Sequence, residues 1–220
     1  VYNILAAATF AKTQNITTKT IARAIEKFRG VPGRMEHAML RTPEGEEKAP
    51  PFTVIVDYAH TADSLAKVYR IFQEQRKICV LGSCGGGRDK WKRPLMGKVA
   101  SDACDSIILT NEDPYDEDPK AIVDEVAQGI EKPNWKIIMD RREAIRAALT
   151  EARGAVGPSG SLASDSELEA RLPSAESQNV VVIITGKGTD PYIMGPNGTK
   201  QEWNDLQTAE EELARLFAKH

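Results

Sequence analysis

Three runs in this chain are apolar or β-branched without alternation: Phe52-Thr53-Val54-Ile55-Val56, Ile78-Cys79-Val80-Leu81 and Val180-Val181-Val182-Ile183-Ile184. A strand with one face in water alternates apolar and polar residues, so such runs need cover on both faces. Between them, apolar residues recur at helical spacing: Leu65, Val68, Tyr69 and Phe72; then Met96, Val99, Ala100 and Ala103 behind Pro94; then Ile122, Val126 and Ile130 behind Pro119. Weaker strand signals lie at 106–110 and 136–139, and a helix follows over 141–152. Repeated βα units of about 30 residues predict an α/β fold, a Rossmann-like, mostly parallel sheet with helices on both faces.

In such sheets ligands gather outside the carboxyl ends of the strands. The unusual residues of this chain follow predicted strands: Asp57 to His60, Arg88-Asp89, Glu112-Asp113 and Lys187 to Asp190. The densest feature is Gly82-Ser83-Cys84-Gly85-Gly86-Gly87-Arg88-Asp89-Lys90, where glycines let the backbone approach a ligand before Arg88, Lys90, Lys92 and Arg93 present positive charge. A carboxylate or phosphate is the natural guest there. The loop lacks both the G-x-G-x-x-G dinucleotide spacing and the G-x-x-x-x-G-K-[ST] phosphate loop.

Composition excludes several classes. With 29 Lys+Arg against 32 Asp+Glu the net charge is −3, so a nucleic-acid partner is not expected. No apolar run reaches the roughly 20 residues that span a bilayer, which makes the cytoplasm the expected compartment. Cys79, Cys84 and Cys104 do not form a paired ligand pattern and read as buried or incidental thiols. With only His37, His60 and His220, no metal site is expected on this chain.

Residues 1–28 read as two helices, with Tyr2, Leu5, Ala6 and Phe10 and then Ile21, Ala24, Ile25 and Phe28 at helical spacing. No capping segment precedes Val1, so the chain is expected to begin partway through a domain. Gly30, Pro32 and Gly33 punctuate the boundary, giving expected domains at 1–30 and 31–220. Met35–Leu40 reads as one strand, and 153–179, rich in Gly, Ser, Ala and Glu, as a flexible insertion. Thr61, Asp140 with Glu143, and Thr208 with Glu211 carry helix-cap signatures.

Several segments, in order, carry a family resemblance: Gly33-Arg34-Met35-Glu36, Val56-Asp57-Tyr58-Ala59-His60-Thr61, Gly85-Gly86-Gly87-Arg88-Asp89-Lys90, Lys92-Arg93-Pro94-Leu95-Met96, Asp140-Arg141-Arg142-Glu143 and Gly186-Lys187-Gly188. The chain resembles the C-terminal part of the Mur ligase family, in its UDP-N-acetylmuramyl-tripeptide synthetase branch. The resemblance implies a fragment of a three-domain, ATP- and Mg²⁺-dependent amide-forming ligase of peptidoglycan precursor synthesis. Such an enzyme activates the carboxylate of UDP-N-acetylmuramoyl-L-Ala-D-Glu as an acyl phosphate, which a free amino acid then attacks. The phosphate loop and metal ligands belong to the family's central domain, of which residues 1–30 would be the last helices. The fragment is therefore expected to be inactive alone, and a monomer is expected.

By the same resemblance, Asn3 lies near adenine, Arg34 and Asp57 near the ribose and phosphates, His60 near the muramyl peptide, and Arg88 on the carboxylate of the incoming amino acid. Asp57 and Asn3 could equally be helix caps, His60 a structural hydrogen-bonding residue, and Arg88 a surface ion pair with Asp89 or Asp190. Where diaminopimelate-adding members carry Asp-Asn-Pro-Arg, this chain has Glu112-Asp113-Pro114-Tyr115. Tyr115 offers no cation for a distal carboxylate. Glu112, Asp113, Asp116, Glu117 and Asp118 crowd this loop, and with Asp190 and Gly186 they are expected to form an acidic pocket that favours L-lysine or another diamino acid such as ornithine over diaminopimelate. A solvated acidic loop is the bland alternative. A folylpolyglutamate- or cyanophycin-type ligase, or a non-catalytic binding module, are the alternative functions.

Overall fold

The computed structural model describes residues 2–28, 30–41, 45–156 and 179–218. The chain divides into two compact units, 1–31 and 32–220. In the first, helices α1 (Tyr2–Thr13) and α2 (Thr18–Lys27) occupy the two predicted positions, α2 being capped by the Thr17 side chain, which accepts from the Thr20 N–H. The expected inward stripe is not buried: α2 has no buried residue, and Phe10 and Phe28 are 68% and 55% exposed.

The second unit is built on a six-stranded sheet. Its strands are β1 (Glu36–His37), β4 (Thr53–Asp57), β5 (Arg76–Leu81), β6 (Ser106–Leu109), β7 (Trp135–Ile137) and β8 (Val180–Thr185), in spatial order β1-β4-β8-β5-β6-β7. All pairs are parallel except β1 with β4. Strand β8 thus returns to the centre, between β4 and β5, and all six of its residues are buried.

The period-2 alternation of each strand divides the core. Val54, Val56, Ile78, Val80, Ile108, Val182 and Ile184 pack with α6 (Arg141–Val156) and α7 (Asp205–Phe217). On the opposite face Ile55, Leu81, Ile107, Leu109, Val181 and Ile183 pack with α3 (Ala62–Ile71), α4 (Lys92–Ala103) and α5 (Pro119–Ala127). Each fully buried aliphatic side chain contributes about 1.5–3 kcal/mol. The doubly covered parallel sheet expected from the apolar runs is therefore the one observed.

Several local expectations change. The predicted strand at 35–40 is interrupted: Met35 takes a left-handed φ of 50°, and Leu40–Arg41 (β2) pairs instead with Glu47–Lys48 (β3) in a separate ribbon. Helix α6 runs on through Val156, into the start of the expected insertion; 157–178 lie outside the described residues, as does His220. The cap of α7 is Asn204, whose Oδ1 accepts from the Gln207 N–H at 2.9 Å, and Thr208 lies inside the helix. Thr61 does cap α3, with Ser64 closing the capping box, and Asp140 caps α6 through the Glu143 N–H.

The cysteine reading is corrected as well. Cys79 and Cys104 are buried, but they are joined in a disulfide that ties β5 to the end of α4; Cys84 is the free thiol among the three. Strand alternation turns Cys79 to the α4 side, and the helix ends at Cys104 beside it, which linear spacing does not reveal. Replacing both with Ala is expected to lower stability by about 3 kcal/mol, the loop-closure cost for a loop of this size. Thermal unfolding with and without reductant checks this: equal midpoints would mean that the bridge contributes nothing.

Candidate functional site

The loops after β4, β5, β6 and β8 emerge at one edge of the sheet, with the 33–35 segment beside them. Two close approaches lock them together. Gly85 donates its N–H to the Asp113 carbonyl at 2.7 Å, and a Cβ on Gly85 would lie 2.1 Å from the Pro114 carbonyl oxygen. Gly186, at φ +113°, leaves room for Glu112, since a Cβ there would lie 2.2 Å from Glu112 Oε2. Only glycine permits both the conformation and the contact. Tyr115 holds a left-handed φ of 52°, donates its N–H to the Met194 carbonyl, and lays its ring against Gly86.

The acidic cluster differs from the open pocket expected of it. Lys187, 1% exposed, holds both oxygens of Asp113 at 2.8 and 2.7 Å, and Asp113 Oδ1 also accepts from the Met194 N–H. Glu112 is buried, which pushes its carboxyl up against the opposing pull of Arg141. Its Oε1 accepts from the Cys84 thiol at 2.9 Å, and its Oε2 has no hydrogen-bond partner among the described residues. Burial and the neighbouring Glu112 push the Cys84 thiol up as well, so it remains protonated. Asp116 accepts from the Asn197 N–H, and Asp118 caps α5. Most of these carboxylates are therefore already matched. Asp190, half-buried and 3.6 Å from Lys187, is the one least committed.

On the β4 side, Asp57 does not cap a helix. Its Oδ2 accepts from the Met35 N–H and its Oδ1 from the Ala59 N–H, both at 2.8 Å. It thereby fixes the turn that carries Arg34, Tyr58 and His60. The Arg34 guanidinium lies over the Tyr58 ring at 4.2 Å, and the His60 ring meets Tyr58 edge-on at 4.9 Å. His60 Nδ1 is 2.9 Å from the Tyr58 carbonyl, the local structural bond, which leaves Nε2 for other partners. Arg34 forms no ion pair among the described residues. Asn3 is exposed on α1, in the other unit.

Arg88 follows Gly86 and Gly87, both at positive φ, and is exposed. Among the described residues it has no hydrogen bond or ion pair, so the surface pair with Asp89 or Asp190 is not formed. The cations after it are engaged: Lys90 pairs with Glu117 at 2.9 Å, Lys92 donates to the His60 carbonyl, and Arg93 is buried among Glu117, Glu125 and the Cys84 carbonyl. Lys90, Arg93 and the Gly87 N–H hold the Glu117 carboxyl down at about 2. A depressed carboxylate stabilises the fold above its ordinary value of 4.5, and that contribution is lost as pH falls toward 2. The wild type should thus lose thermal stability over that window more steeply than Glu117→Gln; parallel melting curves would detach Glu117 from the fold's acid response.

The sequence places Arg93 at this edge as a cation facing a guest and Glu117 in the acidic loop; the fold instead buries Arg93 against Glu117, Glu125 and the Cys84 carbonyl, and nothing in the linear pattern pairs these groups or Cys84 with Glu112.

The comparisons with known proteins fit this geometry. Residues 33–157, more than half of the chain, match the family model described as Mur ligase, glutamate ligase domain. The chain belongs to the Mur ligase family. It is 44% identical over 159 residues to the UDP-N-acetylmuramoyl-L-alanyl-D-glutamate–2,6-diaminopimelate ligase of Syntrophomonas wolfei, covering 70% of this chain and 31% of that protein. A solved structure of a protein with the same ligase name superposes with a TM-score of 0.62 at 28% identity, covering 99% of this chain and 38% of the other. Mycobacterium tuberculosis folylpolyglutamate synthase, at 18% identity and a TM-score of 0.51 over 93% of this chain and 36% of that one, shares the fold alone. This Mur ligase chain spans about a third of the length of the curated relatives it matches.

Proposed function

We propose that the chain is the C-terminal part of an ATP-dependent, amide-forming Mur ligase that adds a diamino acid to UDP-N-acetylmuramoyl-L-Ala-D-Glu in cytoplasmic peptidoglycan precursor synthesis. The observation that carries this reading is the uncommitted Arg88 at the glycine loop, beside the Glu112–Tyr115 and Gly186–Asp190 loops, in a segment matched by the family. A guanidinium holds a carboxylate with two parallel bonds, which fixes the direction of the α-amine. Holding that amine in line with an acyl phosphate is catalysis by positioning.

In this chain Arg34, whose guanidinium forms no ion pair among the described residues, and Asp57, whose oxygens can each accept a second bond, would hold ATP. ATP supplies the phosphoryl group that activates the acceptor carboxylate. Among the described residues Mg²⁺ finds no suitable set: the cluster of Cys84, Glu112 and Asp113 includes a thiol and a carboxylate bound to Lys187, which do not suit a hard cation. The exposed apolar residues of α1 and α2 fit the end of a larger central domain, since two helices alone bury little surface. Without that domain the chain is expected not to turn over; the complete enzyme is expected to be a monomer. Among the described residues, no helix is long and apolar enough to cross a membrane.

The names of the relatives favour diaminopimelate as the amino acid. Tyr115 favours the second reading, L-lysine, because it brings no positive charge to a distal carboxylate. The Lys187–Asp113 pair leaves less negative charge for a distal ammonium than the composition of the loop alone provides. The test is phosphate release by the full-length protein with ATP, the UDP-muramyl dipeptide and, separately, diaminopimelate, lysine and ornithine. Turnover dependent on one of these supports the reading; none with any of them would sink it.

A further inference from the structure

Arg93 is 1% exposed on the first turn of α4, and its guanidinium joins three elements. Nη2 donates to the Cys84 carbonyl at 2.9 Å, where the glycine loop begins. Nη1 donates to Glu125 Oε2 on α5 at 2.7 Å, and both terminal nitrogens reach Glu117 Oε2 at 3.2 Å. Glu117 then turns back to the loop: its Oε1 accepts from the Gly87 N–H at 3.1 Å. The loop is thereby held at both ends, at Cys84 directly and at Gly87 through Glu117. Arg88 is the next residue.

We propose that Arg93 is a positioning residue which, through Glu117, fixes the glycine turn that presents Arg88 to the carboxylate of the incoming amino acid. The role rests on the function proposed above. Gly86 and Gly87 supply no side-chain restraint of their own, and both sit at positive φ, so the loop would otherwise sample many conformations. A buried arginine with several acceptors suits this task, because its planar fork holds fixed directions. Lysine at 93 would keep the charge but lose the simultaneous grip on Cys84 and two carboxylates. Glutamine at 117 would keep an acceptor for Gly87 and lose the charge that attracts Arg93 and Lys90.

Two measurements test this, each on Glu117→Gln and Arg93→Lys in the full-length protein. The first is the rate of tryptic cleavage after Arg88 and Lys90, which needs no substrate; compared at a temperature well below the melting transition of each protein, the variants should be cut several-fold faster there, with cleavage elsewhere in the chain unchanged. The second is kinetic: the KM for the amino acid should rise about tenfold or more, with the KM for ATP unchanged, since small misplacements of a positioning group are costly. In a double-mutant cycle, Glu117→Gln should add almost nothing to Arg88→Ala, because both act through one group. A merely structural role would lower the active fraction and leave the amino-acid KM alone, and that result would overturn the proposal. Unchanged cleavage would overturn it as well. A wild-type enzyme inactive with every diamino acid would instead overturn the functional reading, and the assigned purpose of the brace with it.

Discussion

Replacing Arg141 with Met lowers the unfolding free energy by about 3–5 kcal/mol, the cost of removing one partner from a buried ion pair. Arg141 is 2% exposed and Asp205 is fully buried. Arg141 Nε and Nη2 donate to the two oxygens of Asp205 at 2.8 and 2.7 Å. Nη2 also donates to the Thr185 carbonyl and Nη1 to the Asn111 carbonyl, at the ends of β8 and β6. Methionine fills much of the volume but leaves Asp205 with the Trp203 Nε1–H and the amino end of α7 as its remaining partners. That helix end offsets some of the charge, which places the loss toward the lower end of the range. Urea denaturation measures it. Replacing both partners, Arg141→Met with Asp205→Leu, should recover much of the loss, because two apolar groups leave no unmatched charge. A single variant within about 1 kcal/mol of the parent would mean that water compensates Asp205 and that the pair is not a structural clamp.

Arg88→Ala in the full-length enzyme is expected to raise the amino-acid KM and lower kcat, together costing about a hundredfold in kcat/KM, with the KM for ATP unchanged. Stability should stay within about 0.5 kcal/mol, because the side chain is exposed and forms no pair among the described residues. The contrast with Arg141 separates the two arginines: one holds the scaffold, the other is free for a ligand. Arg88→Lys should rescue poorly, since an ammonium cannot form two parallel bonds to one carboxylate. Steady-state kinetics with each substrate varied in turn checks the split. Unaltered constants would remove Arg88 from the amino-acid site.

Much of the scaffold was legible in the linear pattern because burial on both faces leaves a strong signature. The unbroken runs at 52–56, 78–81 and 180–184 became β4, β5 and β8, and the strand-end loops assembled at one edge, as their order implied. Local chemistry was legible where it is short-range, as in the Thr61 cap. It failed where two local signals competed: Thr208 matched a capping box, but Asn204 supplied the cap one turn earlier.

What the sequence by itself determined is the layered α/β fold and the family, since both follow from periodicity and from motifs whose members are near in the chain. Only the tertiary structure decided which charges remain available. Lys187 and Asp113 are 74 residues apart, Arg141 and Asp205 are 64 apart, and Cys79 and Cys104 are 25 apart, yet each pair meets in the interior. An ion pair neutralises its members whatever their spacing, and spacing gives no sign of it. For that reason the acidic loop reads as a pocket, while the fold leaves most of its carboxylates matched and, among the described residues, Arg88 unpaired.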